Sequence, residues 1–117
     1  MATWNANALF HFKPHVRSRK FSLLRKLWKP GSLIAIQESH GTLAELKDLT
    51  YHSNSAFSHA SSFCPNSRAG GVVTLFPNFQ KYKFRPQQVF HHVIVPGRAL
   101  ELYILFSENI WISHFNL

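Results

Sequence analysis

Three short stretches place polar side chains at the ends of apolar runs, which is where open α/β sheets build their sites. Trp4-Asn5-Ala6-Asn7 offers two carboxamides able to orient a metal-bound water or a phosphate oxygen. Gln37-Glu38-Ser39-His40-Gly41 sets a carboxylate straight after the apolar run Leu33-Ile34-Ala35-Ile36. Ile112-Ser113-His114-Phe115-Asn116 again closes an apolar run with polar groups. Taken singly, each stretch has a plain structural reading: Asn as a turn residue, Glu38 as an exposed strand end, His114 as a solvated edge. Taken in order along one chain, they describe a polar site lined by several strand ends.

The chain around them has 117 residues, 45% hydrophobic and 15% charged, with 11 Phe and 3 Trp. That is one domain with enough large apolar surface for a packed core, and it excludes two independent domains and an intrinsically disordered chain. Thirteen Lys and Arg stand against five Asp and Glu, a formal charge of +8. Such a balance favours a polyanionic partner, nucleic acid or an anionic surface. The lone Cys64 excludes an internal disulfide framework and a cysteine-based zinc cage, and suits a reducing, intracellular compartment. No apolar run approaches the roughly 20 residues of a membrane-spanning helix. The opening residues lack the continuous apolar segment of a signal peptide. The first acid is Glu38, so the opening stretch has the charge of a transit peptide, but residues 2–7 read instead as part of a fold.

The elements that must position the three stretches follow from periodicity. Ala2-Thr3-Trp4-Asn5 is strand-like, and Val16, Phe21, Leu24, Leu27 and Trp28 fall near helical spacing between Val16 and Lys29. Arg17, Arg19, Lys20, Arg25, Lys26 and Lys29 cover the other face of that helix, and Pro30-Gly31 stops it. Ser32 to Gln37 reads as a buried strand, which completes a strand, helix, strand unit with parallel strands. Thr42-Leu43-Ala44-Glu45 fits a capping box opening a short helix to about Leu49. His52 to Arg68, rich in Ser, Asn and His, reads as a long exposed loop. Gly70-Gly71 then opens Val72 to Phe76, and Gln87 to Val95, Ala99 to Phe106 and Ile110 to Phe115 follow as strands separated by Pro96-Gly97 and Ser107-Glu108-Asn109. The fold class is α/β of the α+β kind, a mixed and mostly antiparallel sheet with a helical layer. The sequence closes on a strand at Leu117, so the expectation is an unfinished sandwich with one sheet face open and a tendency to self-associate through it.

The same stretches carry a family resemblance. Thr3-Trp4-Asn5-Ala6-Asn7-Ala8-Leu9 resembles the first motif of the endonuclease/exonuclease/phosphatase superfamily of metal-dependent phosphodiesterases, and Ile34-Ala35-Ile36-Gln37-Glu38-Ser39-His40-Gly41 resembles its second. Ala69-Gly70-Gly71-Val72-Val73 is similar to its glycine-led central strand. Among subgroups the chain most resembles the endonuclease domains of LINE-type retrotransposons, relatives of apurinic-site endonucleases. The resemblance implies Glu38 as the direct ligand of Mg²⁺ or Mn²⁺, Asn5 as the metal-site Asn with Asn7 supporting, His114 near the scissile phosphate, and DNA as substrate. It also implies a four-layer α/β sandwich about twice as long, of which residues 1–117 form the N-terminal half, a single incomplete domain. The second half of that family supplies an Asp-x-Asn motif, a further Asp and an Asp-His pair, none of which occurs in this sequence. One carboxylate with a carboxamide docks a hard dication weakly, and hydrolysis also needs a positioned base, so negligible turnover by this chain alone is expected.

Two other readings compete. A non-catalytic nucleic-acid binder would use the basic face of residues 13–29, with Arg17 and Lys20, together with Lys81, Lys83 and Arg85. A phosphodiesterase half acting on an inositol phosphate or sphingomyelin fits the charge less well. The histidines add no metal site: His91 and His92 point to opposite faces of a strand, and Pro14 separates His11 from His15.

Overall fold

In the computed structural model, residues 2–29, 31–52, 57–65, 67–81 and 85–117 are described. The elements are β1 (Ala2–Asn5), α1 (Pro14–Leu27), β2 (Ile34–Gln37), α2 (Leu43–His52), β3 (Phe57–Ser62), β4 (Val72–Pro77), a 3₁₀ turn (Phe79–Lys81), β5 (Gln88–Val95), β6 (Ala99–Ser107) and β7 (Ile110–Asn116). They form an α+β fold with two sheets. One has the order β1-β2-β4-β3, parallel between β1 and β2 and antiparallel elsewhere, and the other is the antiparallel sheet β5-β6-β7. No helix among the described residues is long and apolar enough to cross a membrane.

The alternation of side chains along β4 explains the layering. Val73 and Leu75 face the helices, where they pack with Ile34 and Ile36 of β2, Leu24 of α1, Leu46 of α2, and Leu9 and Phe10 from the segment after β1. Val72 and Phe76 face the other way and pack with Ala60 of β3 and with Leu100, Leu102 and Ile104 of β6. Every residue of β4 is buried, which is why its sequence is nearly continuous in apolar residues rather than alternating. The order of layers is therefore helices, mixed sheet, antiparallel sheet. The outer face of the antiparallel sheet carries the packed rings of Phe90 and Tyr103, 4.8 Å apart, and the exposed side chains of Trp111 and Phe115.

Local chemistry accounts for most boundaries. Pro14 stands at the first position of α1, the one place in a helix where its missing N–H costs nothing, so the helix starts two residues before the Val16 expected from periodicity. Arg25 and Lys26 occupy its last turn, favourable to the helix dipole. Thr42 caps α2 by accepting the Glu45 N–H at 3.3 Å and donating to its carboxylate at 3.2 Å. The long loop expected over His52 to Arg68 is corrected: Phe57–Ser62 is a strand paired antiparallel to β4. Its Ser and His residues carry little strand propensity, and β4's open edge supplies the hydrogen bonds that local preference does not.

A buried side chain at the end of β7 pins the two sheets together. Asn116, at the end of β7 and 1% exposed, donates from Nδ2 to the Ile36 carbonyl (3.2 Å), the Val73 carbonyl (3.1 Å) and Thr74 Oγ1 (3.2 Å). Its Oδ1 accepts from Gln37 Nε2 at 2.7 Å. Two N–H groups thus serve three acceptors across β2 and β4, and the amide is satisfied at both ends. Two predictions follow from burial. Asn116→Ala strands these acceptors and lowers unfolding free energy by about 1–3 kcal/mol in urea titrations, whereas an unchanged midpoint would mean that the sheets do not depend on it. Burial also lowers the pKa of His114 and, with Lys47 adding to it, that of His59, both from 6.5. Both rings are neutral in both states above that value, and below it the unfolded chain takes up protons that the folded one resists. Thermal stability is therefore expected to fall as pH drops through 6.5, and less steeply in His114→Asn.

Candidate functional site

The site is built where four chain segments meet at the carboxyl ends of β1 and β2. Parallel pairing continues past both strands: Ala6 N–H donates to Gln37 O (2.9 Å), Ala8 N–H to Glu38 O (2.7 Å) and Phe10 N–H to Ser39 O (3.0 Å). The second segment is tied to the third through Ser39 N–H on Gly71 O (3.1 Å) and His40 N–H on Gly70 O (2.9 Å). The third is tied to the β5–β6 turn by Gly71 N–H on Gly97 O at 2.9 Å. This interlock bends the backbone sharply. Asn7, Ala8, Glu38 and His40 all have positive φ, between 45° and 73°, a conformation that non-glycine residues keep only where the surroundings enforce it. Gly71 is required for space as well as for its φ of 90°, since a Cβ there would lie 2.4 Å from Ser39 Oγ.

At the centre is the Glu38 carboxylate, about one-third exposed. Its Oε2 accepts from His40 Nε2 at 2.7 Å and its Oε1 from the Arg98 guanidinium at 2.9 Å. A carboxylate only accepts, so His40 carries its proton on Nε2. The His40 bond, and then the Arg98 charge, hold the Glu38 pKa below the usual carboxylate value. Arg98 is carried by the turn Val95-Pro96-Gly97-Arg98, closed by Arg98 N–H on Val95 O at 2.9 Å with Gly97 at φ 70°. Proline followed by a left-handed glycine is the signature of a type II turn, so the sequence specifies the bend that delivers this arginine.

At the end of β1, Asn5 and Asn7 are exposed and form an Asx turn, with Asn7 N–H on Asn5 Oδ1 at 3.2 Å. They line a cleft of about 420 Å³ with Trp4, Arg19 and Lys20. Asn7 and His40 also line a second cleft, of about 410 Å³, with His11 and Arg68. Among the described residues no three His, Cys, Asp or Glu side chains form a group that could hold a metal ion.

Of the residues singled out from sequence, Glu38, Asn5 and Asn7 therefore meet in one set of interlocked segments. Lys20 bonds the Ala6 carbonyl and, at 2.7 Å, the Asn7 carbonyl, so its charge braces the Asn segment. Arg17 donates to the His11 carbonyl at 3.3 Å. His114 is not a solvated strand end: it is 9% exposed, opposite the buried Leu102, on the face turned toward the mixed sheet. Lys81 closes the 3₁₀ turn, and Lys83 lies outside the described residues.

The chain matches no family model, and no curated protein matches it.

Sequence reasoning missed His40, Arg68, Arg98 and Asn116. Arg68 grips Glu45 with two bonds, at 2.7 and 3.0 Å, and also holds the Phe10 carbonyl. The Pro-Gly turn before Arg98 was the one available signal, and nothing in sequence says that this turn folds back onto Glu38. Burial pushes the Glu45 pKa up, but the Arg68 bonds outweigh it, so both carboxylates sit below their ordinary value of 4.5. Each contributes stability that is complete above that value and is lost as pH falls through the lowered one. Arg98→Ala is expected to raise the Glu38 pKa in a carboxyl-carbon NMR titration while changing stability by less than about 1 kcal/mol, as an exposed pair should. An unmoved Glu38 titration would remove the ion pair.

Proposed function

We propose that this chain is the metal-docking half of a metal-dependent phosphodiesterase of the DNA endonuclease type, with Glu38 as the cation ligand and Asn5 and Asn7 orienting water or phosphate beside it. The observation that supports the reading is the backbone interlock of the β1 and β2 ends, which makes the segments carrying the Asn pair and the acid of the two resembling motifs neighbours. A bound Mg²⁺ or Mn²⁺ would supply charge to the phosphodiester. The chain's own residues hold that charge in place, and a net charge of +8 draws the polyanion toward it.

Turnover needs a base for the attacking water, and the other four acids serve elsewhere. Glu45 is held by Arg68, Asp48 lies on the same helix, Glu101 accepts from Ser113 and Glu108 lies in the β6–β7 turn. This chain accordingly binds and positions without cleaving. The runner-up reading, a non-catalytic nucleic-acid binder, draws on the exposed Arg19, Arg25 and Lys26 along α1 and Lys29 just beyond it.

The test is Mn²⁺ titration followed by the free-ion EPR signal, with duplex binding by fluorescence anisotropy and nicking of supercoiled DNA in parallel. Weak Mn²⁺ binding lost in Glu38→Gln, duplex affinity falling with salt at a slope of about −0.9 per phosphate contacted, and no nicking are expected. Mn²⁺ binding that survives Glu38→Gln would overturn the metal role. Salt-dependent DNA binding without any Mn²⁺ binding would favour the plain binder.

A further inference from the structure

The segment between β1 and α1 sends its two phenylalanines in opposite directions. Phe10 is 2% exposed, packs edge-on against Phe21 at 6.0 Å, and fills the space that a Cβ at Gly41 would need. Phe12 is 76% exposed and stands outside both apolar clusters of the core. Its ring is nevertheless held, stacked on the His11 imidazole at 4.7 Å with 20° between the planes. The chain beneath is fastened at three points: the Phe10 carbonyl accepts from Arg68 at 3.0 Å, the His11 carbonyl from Arg17 at 3.3 Å, and His11 Nδ1 from the Lys13 N–H at 3.0 Å. Phe12 is thus an apolar ring presented to water on a braced backbone, with little ordering left to lose when a ligand covers it.

The surroundings of that ring are cationic. Phe12 and His11 line the cleft of about 410 Å³ with Asn7, His40 and Arg68, and the Lys13 ammonium lies 5.9 Å from the Phe12 ring centre. Desolvation, and then the charges of Lys13, Lys20 and His15, lower the His11 pKa from 6.5, in keeping with a neutral ring whose Nδ1 accepts. The acids bonded to lining residues are already matched, Glu38 by His40 and Arg98, and Glu45 by Arg68. This separates Phe12 from the exposed Phe90, Trp111 and Phe115 of the antiparallel sheet, whose three strands contain no Lys or Arg. An aromatic face among cations suits a single-stranded nucleic acid, with base on ring and phosphate on cation. A base inside a duplex has both faces covered by its neighbours and cannot use the ring without leaving the stack.

Resting on the reading of nucleic acid as the partner, which both functions above share, we propose that Phe12, backed by His11, is a stacking platform for an unpaired nucleobase whose flanking phosphate meets Lys13. His40 lines the same cleft and bonds Glu38 at 2.7 Å, so the stacked base is seated beside the candidate site. Phe12 then sets which form of the strand is preferred, single-stranded or locally opened over fully paired. The exposed cations of α1 supply the affinity that both forms share.

The experiment uses the full chain with Phe12→Ala, Phe12→Leu, Phe12→Trp and Lys13→Ala, and folding of each is checked by circular dichroism melts. Affinities for a fluorescein-labelled single-stranded DNA oligonucleotide and for a hairpin-closed duplex are read by anisotropy, and stacking by the fluorescence of 2-aminopurine placed in the single strand. Phe12→Ala is expected to weaken single-strand binding about five- to thirtyfold, the effect of one lost base stack, and duplex binding by less than about twofold. Phe12→Leu, apolar but without a ring face, should lose as much, and Phe12→Trp should bind as the parent does. The 2-aminopurine should be quenched by the parent and not by Phe12→Ala. Lys13→Ala should make the single-strand salt slope shallower by about 0.7, the share of one phosphate, while Phe12→Ala leaves the slope unchanged. Full single-strand affinity in Phe12→Leu, or an equal loss on the duplex in Phe12→Ala, would overturn the platform. An unchanged slope in Lys13→Ala would overturn the phosphate role given to that lysine. Duplex binding without single-strand binding would overturn the platform and leave nucleic acid as the partner. A parent chain that binds neither at low salt would overturn the nucleic-acid reading itself, and the platform with it.

Discussion

A buried carboxamide at the end of β7 ties the antiparallel sheet to both β2 and β4, and the candidate site lies directly beyond that tie. Asn116 lies between β2 and β4 with its amide satisfied on both sides, and Gln37, which it holds, directly precedes Glu38. An amide in a low-dielectric interior is costly unless every bond is made, so its partners are confined to one arrangement. That arrangement sets the antiparallel sheet against the mixed one at the end where β1 and β2 release their chains. The apolar packing between the sheets supplies attraction, but it is non-directional, and Asn116 adds the directional contact at this end.

Above that anchor the segments are held by backbone bonds together with the core packing of Ala6, Leu9 and Phe10. Four non-glycine residues in left-handed conformations would be strained in isolation, and the hydrogen bonds among Ala6, Ala8, Phe10, Ser39, His40, Gly70, Gly71 and Gly97 hold them there. The result is a rigid seat for a carboxylate whose charge is balanced by a neighbouring histidine and a distant arginine. The basic excess has two uses. Lys20, Arg17 and Arg68 brace carbonyl oxygens or Glu45, while Arg19, Arg25 and Lys26 on α1 and Lys29 just beyond it stay exposed. A count of charges cannot separate the two groups, because on α1 Arg17 and Lys20 alternate with Arg19, Arg25 and Lys26 in the same basic run.

Much of the framework was legible in advance for identifiable reasons. The parallel β1 and β2, the capped α2, the apolar β4 and the strands β5 to β7 with their turns all combine a strong period with turn or cap chemistry. β3 was not legible, since Ser58, His59, Ser61 and Ser62 carry a loop's composition and become a strand only against β4. His114 was read as a solvated edge because its neighbours alternate, and periodicity does not say which face of a strand another sheet will cover.

The sequence by itself determined the mixed class, the positive charge, and the placement of Asn5, Asn7 and Glu38 at the ends of strands, because these depend on side-chain period and local turn chemistry. Tertiary structure alone decided that Arg98 and His40 share the Glu38 carboxylate, that Lys20 serves the Asn segment, and that Asn116 rather than His114 reaches the site's base. Apart from the Glu38–His40 pair, those contacts join residues separated along the chain, Asn116 and Gln37 by 79 positions. Their partners are chosen by how two sheets stack, a geometry that no local pattern encodes.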